Sequence, residues 1–171
     1  IRRQRQMCIR DRDNYRTPTG QQSFETRDEV IKVKGQGDVN IKVRTTRHGP
    51  VISDVQPAYA QFLNTDKYAI ALRWTALDVD NQTIVAGMEA NFANSVAELR
   101  QAFSKNHSPM QSVVMADKAG RVLFKAAGKV PVRSAANDLH GMVPAPGWLA
   151  QYDWQSWIPY CLLYTSDAAD E

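Results

Sequence analysis

The sequence predicts an α+β domain built mostly of antiparallel β-hairpins with one or two helices. Apolar and charged residues alternate with a period of two on both sides of a glycine-rich turn at residues 35–38. Residues 95–105 have the apolar period of a helix, and two further apolar runs flank a turn at residues 117–121. These periods are the primary sequence signals of paired strands and of helices. With 43% apolar and 23% charged residues, the composition is that of a folded globular protein.

The first hairpin is predicted over residues 29–47. Its alternating apolar residues are Ile31, Val33, Ile41 and Val43. Because lysines and an arginine occupy the positions between them, we expect one buried face and one solvated face. Gly49 and Pro50 then end the second strand, since proline has no N–H to donate to a strand partner. A short strand is expected at residues 51–53.

A nearly continuous apolar run at residues 68–74 predicts a strand that is covered on both faces at the centre of a sheet. Two helices are expected after it. The apolar face of the first is predicted to contain Ile84, Met88 and Phe92. The second begins with a capping box, in which Ser95 caps the Glu98 amide and the Glu98 carboxylate reaches back to the Ser95 amide. The apolar face of the second helix contains Val96, Leu99 and Phe103.

Residues 111–116 and 122–127 predict a second hairpin, because they flank a turn that closes near a glycine. Residues 128–160 are rich in proline and are predicted to be irregular and held by large aromatic side chains. There is no internal repeat and no low-complexity linker, so we expect a single piece rather than two domains.

Both ends of the chain differ from the rest. Residues 1–12 are rich in arginine, and residues 161–171 continue no pattern. Both resemble translated sequencing adapters, so we expect artefact tails around a body at residues 13–160. The alternatives are a basic arm that binds nucleic acid and an acidic tail. Because both cysteines lie in the tails, the body supports neither a disulfide framework nor a cysteine-ligated zinc site.

The residues alone do not identify an active site. The three histidines are far apart and lack ligand spacing, and neither a nucleophile elbow nor a phosphate-binding loop is present. Asp78 and Asp80 superficially resemble a calcium loop, but the glycine and closing glutamate of an EF-hand are missing. A polar loop that caps the next helix is the favoured interpretation. The chain is therefore either a binding or structural domain, or part of an enzyme whose chemistry lies elsewhere.

Six motifs in a fixed order carry a more specific signal. Residues 44–54 read RTTRHGPVISD and residues 71–78 read ALRWTALD. The other four motifs are YRTP at 15–18 with FETRDE at 24–29; PMQ at 109–111 with AD at 116–117 and a glycine at 120; GKVPVR at 128–133; and VPAPGW at 143–148 with YDW at 152–154 and WIP at 157–159. Together they resemble the penicillin acylase (penicillin amidase) family of N-terminal-nucleophile hydrolases over residues 13–160. Two departures from the family pattern, Gln111-Ser112 and Gly120-Arg121-Val122, weaken the assignment of a substrate.

The resemblance implies part of an N-terminal-nucleophile hydrolase αββα fold and an amidohydrolase acting on N-acyl amides of the penicillin or N-acyl-homoserine lactone type. In such enzymes the β subunit begins with the nucleophilic serine, whose own α-amine, with a pKa of about 7.7–8.0, is the base. The serine lies upstream of the segment matching Tyr15, and the oxyanion asparagine lies downstream of the one matching Pro159. We therefore expect an internal β-subunit fragment that contains no catalytic residue and is inactive alone.

The resemblance also suggests binding residues. Met88, Asn91, Gln111 and Val113 occupy positions that face the acyl chain, although plain core packing of Met88 and Val113 is an equal alternative. The backbone carbonyl of Gly141 falls where one ligand of a structural calcium ion is expected, while the chemistry itself needs no cofactor. The implied partners are a small N-acyl substrate and the α subunit from the same precursor. Neither nucleic acid nor a membrane is expected.

The implied setting is the periplasm, in antibiotic biosynthesis or quorum quenching. Two other functions remain open. The chain could be a self-contained β-rich binding module that uses exposed aromatic side chains, namely Trp148, Trp154 and Trp157. It could also bind nucleic acid through the arginines of residues 2–12.

Overall fold

The computed structural model describes residues 3–11 and 13–167, which form two compact units. The first contains residues 3–74 and 133–153, and the second contains residues 75–132 and 154–167. The sequence predicts a single piece because no linker marks this division. The chain instead passes between the units three times, inside the motifs ALRWTALD, GKVPVR and YDW.

The structure contains thirteen short strands and two α-helices among the described residues. The strands are β1 Arg3–Ile9, β2 Asn14–Thr17, β3 Gly20–Ser23, β4 Glu25–Ile31, β5 Val39–Thr46, β6 Gly49–Pro50, β7 Tyr68–Trp74, β8 Gln111–Ala116, β9 Val122–Ala127, β10 Pro131–Arg133, β11 Ala145–Pro146, β12 Trp154–Trp157 and β13 Thr165–Asp167. The helices are α1 Thr83–Ala90 and α2 Val96–Phe103. All strand pairs with a described register are antiparallel except β1 with β11, which confirms an α+β fold dominated by antiparallel pairs.

The first unit is organised around a sheet with the order β11-β1-β7. The centre of β7, Ala69 to Ala71, is buried as its apolar run predicts. β1 lies along one side of β7, while the predicted strand at residues 51–53 is reduced to one bridge between Val51 and Ala71. The core of this unit contains Cys8, Tyr15, Phe24, Val51, Ala69 and Ala71. The hairpin of β2 and β3 has no counterpart in the sequence prediction, since its residues do not alternate between apolar and polar.

The segment 1–12 supplies β1, and its inward face is polar. Gln4 and Gln6 are each 1% exposed, and both donate from Nε2 to the Tyr152 carbonyl, at 3.3 and 3.2 Å. The Gln6 Oε1 atom is buried and has no hydrogen-bond partner among the described residues. An unpaired buried amide oxygen costs about 1–3 kcal/mol. β1 is otherwise paired along its length with β7, and its Cys8 lies in the core of the unit. The foreign origin of residues 1–12 and 161–171 stays a prediction, and residues 1, 2, 12 and 168–171 lie outside the described residues.

The hairpin of β4 and β5 forms in the predicted position, with cross-strand pairs from Glu25 and Thr45 to Ile31 and Val39. The prediction that its apolar face is buried is wrong. Ile31 is 48% exposed, and Val33, Ile41 and Val43 are only half-buried. Alternation predicts which residues share a face, but burial also requires an element that covers the face, and these four residues lie outside the unit's core.

In the second unit, β8 and β9 form the second predicted hairpin, and β13 pairs with the other edge of β9. α2 packs on this sheet and α1 packs on α2. The core contains Val96, Met115 and Leu123, with Leu99, Phe103 and Val113 packed against it. β10 and β12 form a separate two-stranded sheet. No helix in the described part of the chain has the length and apolar content needed to span a bilayer.

The capping box of α2 is confirmed with one change. Ser95 Oγ accepts from the Glu98 amide at 3.2 Å, as predicted. The Glu98 carboxylate, however, accepts from the Asn94 amide at 2.7 Å rather than from that of Ser95. Asp117, from the β8–β9 turn, accepts from the Val96 amide at 3.2 Å and so occupies another free donor of the helix start.

The predicted apolar face of α1 is wrong. Ile84, Met88 and Phe92 are 80%, 61% and 79% exposed, whereas Ala86 is 1% exposed. Ile84 and Met88 lie in α1, whereas Phe92 follows the end of the helix at Ala90. The helix packs inward through Ala86, which leaves its large apolar side chains exposed.

Candidate functional site

The RTTRHGPVISD motif is closed on itself by an ion pair between its first and last residues. Arg44 donates from Nε and Nη2 to both carboxylate oxygens of Asp54, at 2.7 and 2.5 Å. The Arg44 guanidinium also lies 4.7 Å from the centre of the Phe24 ring. The planar guanidinium matches a carboxylate with two parallel bonds, so this pair fixes the turn between β5 and residue 54. The Arg44–Asp54 pair therefore holds the backbone of this motif in place.

Arg47, in the same motif, ties three separate segments together. It donates from Nη1 and Nη2 to Asp153, at 3.0 and 2.8 Å, and from Nη2 to the Gly147 carbonyl at 2.9 Å. Its backbone amide donates to the Tyr15 hydroxyl at 2.7 Å. The YRTP, RHGP and VPAPGW…YDW motifs therefore meet at this residue. We call Arg44, Arg47, His48, Asp54 and Asp153 the first-unit frame.

His48 is a structural member of this frame. It is 5% exposed, and its Nε2 lies 2.9 Å from the Gly147 carbonyl. Burial lowers the pKa of His48 to about 4, so the ring is neutral at pH 7. Because a carbonyl can only accept, Nε2 carries the proton and donates it to Gly147. A Cβ at Gly147 would lie 3.0 Å from Nε2, which explains the glycine at this position.

Gly49 explains the next feature of the motif. Its φ is +123°, and a Cβ built on it would lie 2.3 Å from the Leu72 carbonyl oxygen. Only glycine permits this backbone to approach β7 so closely. The RHGP turn and the ALRWTALD strand therefore occur together because one packs directly on the other.

The end of ALRWTALD forms a second frame in the second unit. Lys129, from the GKVPVR motif, donates to Asp78 at 3.0 Å and to Asp80 at 3.3 Å. Its ammonium also lies 4.5 Å from the centre of the Trp157 ring, which adds a cation–π contact. We call Asp78, Asp80, Lys129 and Trp157 the second-unit frame.

The second-unit frame includes the one set of side chains among the described residues that could hold a metal ion. Asp78, Asp80 and His107 bring a ligand atom each to within 4.8 Å of one another, and the buried Nδ1 of His107 has no hydrogen-bond partner there. Two carboxylates and an imidazole can bind a divalent ion. Lys129 already supplies the positive charge, however, and its hydrogen bond lowers the pKa of Asp80. The geometry therefore favours a lysine-centred ion pair.

The polar loop before α1 contacts the helix start through Asn81 and through neither aspartate. The N-cap itself is Gln82, whose side chain makes no capping bond. Asn81 Oδ1 accepts from the Thr83 amide at 2.9 Å, and Asn81 Nδ2 donates to the Ala76 carbonyl at 3.1 Å. Asp78 and Asp80 bind Lys129 instead. Sequence spacing could not reveal this, because Lys129 lies about fifty residues away along the chain.

The four predicted substrate-binding residues all lie in the second unit. Met88 is 61% exposed on α1, and Asn91 is the exposed C-cap of the same helix. Gln111 is exposed at the start of β8, whereas Val113 packs against the unit's core. Their role in acyl binding stays a prediction. A separate cavity of about 520 Å³ in the first unit is lined by Arg5, Ile52, Val55, Gln56, Tyr59, Leu72, Gly141 and Met142.

Gly141, the predicted calcium ligand, lies beside a positive group. A Cβ on Gly141 would be 3.1 Å from the Arg133 guanidinium. The role of the Gly141 carbonyl as a calcium ligand stays a prediction.

The aromatic residues named for a binding module are half-buried, so the prediction that they are exposed is wrong. Trp148 stacks on Tyr68 with ring centres 6.4 Å apart. Trp154 and Trp157 meet edge to face at 5.5 Å. Trp157 also contacts Lys129 of the second-unit frame.

Comparison with known proteins decides the family. The family model described as penicillin amidase matches residues 4–164. The chain belongs to the penicillin amidase family. The penicillin acylase 2 proenzyme of Pseudomonas sp. (strain SE83) is 32% identical over 135 residues, which are 78% of this chain and 16% of that protein. The acyl-homoserine lactone acylase QuiP of Pseudomonas fluorescens (strain Pf-5) is 28% identical over 136 residues, or 80% of this chain and 16% of that protein.

The fold agrees with this membership of the penicillin amidase family. A thermostable penicillin G acylase from Alcaligenes faecalis superposes with a TM-score of 0.78 at 23% identity, over 97% of this chain and 28% of that chain. The chain thus spans about a sixth of the length of the curated relatives it matches. Both frames lie within the matched residues.

Proposed function

We propose that this chain is an internal scaffold piece of the β subunit of an amidohydrolase that cleaves N-acyl amide bonds. The observation that carries the proposal is the family match over residues 4–164, with the family motifs joined to one another by the two frames. The fold would then be part of an N-terminal-nucleophile hydrolase αββα sandwich. Residues 13–160 would supply walls and supports for a site whose reacting groups lie outside them.

The proposed chemistry is acyl transfer through a serine. The α-amine of an N-terminal serine takes the hydroxyl proton, and the serine oxygen attacks the amide carbonyl. The tetrahedral oxyanion is held by amide donors, the amine leaves with a proton, and water then releases the acyl group. The frames would contribute rigid placement of the backbone around this site, which matters because small displacements of positioned groups cost large factors in rate.

The substrate class follows from the two kinds of relative. One is named a penicillin acylase and the other an acyl-homoserine lactone acylase, and both names describe removal of an acyl group from an amine. We propose the same bond class for this protein, with the acyl chain against Met88, Asn91, Gln111 and Val113. An α subunit from the same precursor, a periplasmic location and a structural calcium ion belong to the same proposal.

Recovering the longer reading frame from source DNA tests the proposal. We expect a precursor that is cleaved to expose a new N-terminal serine, detectable by mass spectrometry of the intact subunits. The mature protein should hydrolyse penicillin G or an N-acyl-homoserine lactone, and replacing that serine with alanine should abolish both cleavage and hydrolysis. A reading frame that begins near Asp13, or a cleaved protein without amidase activity, contradicts the proposal.

A further inference from the structure

Asp78, Asp80 and His107 converge at one point of the second unit. Each brings a ligand atom to within 4.8 Å of those of the other two. The Nδ1 atom of His107 is buried and has no hydrogen-bond partner among the described residues. Burial lowers the pKa of His107, so the imidazole is neutral at pH 7 and can bind a metal ion. A neutral imidazole beside two carboxylates is a donor set for a divalent transition-metal ion.

The backbone holds the segments that carry these side chains. The His107 amide donates to the Thr83 hydroxyl at 3.0 Å, and the His107 carbonyl accepts from the Lys129 amide at 3.0 Å. The Asp78 carbonyl accepts from the Asn81 amide at 3.1 Å. These bonds involve no side-chain atom of Lys129. The position of the cluster therefore does not depend on where the Lys129 ammonium lies.

The two carboxylates of the cluster share a single ammonium. Lys129 Nζ lies 3.0 Å from Asp78 Oδ2 and 3.3 Å from Asp80 Oδ2. Because His107 is neutral at pH 7, the group as a whole retains one net negative charge. A divalent cation in place of the ammonium would balance both carboxylates and would also bind the imidazole nitrogen. The cluster therefore matches a divalent cation more completely than it matches the ammonium.

Lys129 has a second contact that can hold its ammonium away from the carboxylates. Its Nζ lies 4.5 Å from the centre of the Trp157 ring, and an ammonium over an indole face is stabilised by a cation–π interaction. The side chain of Asp80 is 66% exposed, so the cluster is open to solvent on that side. An ion can therefore enter from solvent while the ammonium remains over the ring.

We propose that Asp78, Asp80 and His107 form a binding site for a divalent transition-metal ion such as zinc, which competes with Lys129 for the two carboxylates. Zinc accepts three protein ligands with water in the fourth position. Calcium fits this donor set poorly, since it takes oxygen ligands and not imidazole. The site is distinct from the predicted calcium ligand Gly141, which lies in the first unit. It does not depend on the proposed function, because this chain supplies all three ligands.

Isothermal titration calorimetry of the tag-free 171-residue chain with zinc chloride tests the proposal. Every protein has a Cys161→Ser background, because Cys161 is exposed and its thiol can itself bind zinc. His107→Gln and Asp80→Asn each remove one ligand. Loss of even an outer-shell partner costs a metal site about 10–100-fold in affinity, so each variant should weaken binding by at least about tenfold. His140→Gln, at an exposed histidine outside the cluster, is the matched control and should leave the affinity unchanged.

Lys129→Met tests the competition with the ammonium. Zinc affinity should rise by about tenfold, because the variant removes a positive charge from beside both carboxylates. A lysine that only supports the surrounding fold would leave the affinity unchanged or lower it, and either result overturns the proposal. Circular dichroism checks that the variant is folded, and Lys129→Gln replaces it if it is not. Absence of saturable binding, or binding that persists unchanged in His107→Gln and Asp80→Asn, also overturns the proposal.

Discussion

Arg47 holds the first unit together at the scale of a single residue. One guanidinium binds Asp153 and Gly147, and the amide of the same residue binds Tyr15. Sequence spacing could not reveal these partners, since two of them lie about a hundred residues away. The sequence does mark the residue indirectly, because it lies in the motif that most strongly indicates the family. In the structure this motif joins three segments of the first unit.

Arg47→Lys should lower the free energy of unfolding by about 1–2 kcal/mol, because an ammonium cannot make the two parallel bonds to Asp153 and also reach Gly147. The estimate is modest since both partners are more than a quarter exposed. Arg27→Lys is the matched control, as Arg27 is 73% exposed and its pair with Glu29 should contribute little. Urea unfolding at pH 7 measures both, and equal effects would contradict the role given to Arg47.

His48 makes stability depend on pH. Burial lowers the pKa of His48 to about 4 from an ordinary value of 6.5, so the unfolded chain binds a proton before the folded chain does. Stability is therefore complete above about pH 6.5 and falls as the pH drops toward 4, by up to about 3 kcal/mol. His107, whose pKa is also lowered by burial, acts in the same direction.

Urea unfolding between pH 7 and 4.5 measures this dependence. His48→Gln should flatten the slope over that range, because the variant has no buried imidazole to protonate. The hydrogen bond to Lys129 lowers the pKa of Asp80. The stability contributed by the charged Asp80 carboxylate is therefore lost only as the pH falls below about 4. An unchanged slope in His48→Gln would show that the neutral buried ring is not the cause.

At the scale of elements, periodicity predicts which residues form strands and helices but not what covers them. Both main hairpins and both helices are where the alternation and the capping box indicate. The errors concern burial: Ile31 on the first hairpin and Ile84 and Met88 on α1 are apolar and exposed. A face is buried only by a neighbouring element, and the pattern within one segment contains no information about that neighbour.

The start of α2 gives the clearest test at this scale. Ser95→Ala removes the hydroxyl that accepts from the Glu98 amide and should cost about 1 kcal/mol of stability. Ser112→Ala, at an exposed position in β8, is the control and should change stability by less than about 0.5 kcal/mol. The midpoint of urea unfolding distinguishes them. If the two variants shift the midpoint equally, the cap does not stabilise α2.

At the scale of the whole molecule, family motifs and packing give one consistent picture. The motifs that indicate the penicillin amidase family form two structural frames. Each contains an ion pair whose cation also contacts an aromatic ring: Arg44 contacts Phe24, and Lys129 contacts Trp157. Periodicity within one segment does not identify a substrate pocket, because a pocket is formed by elements from several parts of a chain. The chain spans about a sixth of the length of the curated relatives it matches.

The central claim is that residues 1–171 support an amidase site without supplying its reacting groups. It is tested most directly by incubating the purified 171-residue protein with a chromogenic phenylacetamide and with an N-acyl-homoserine lactone, and measuring amine release. The account predicts a rate equal to that of buffer at every protein concentration. Saturable hydrolysis that is proportional to protein and is lost in Asp78→Asn or Lys129→Met would contradict it, because it would make the second-unit frame an active site.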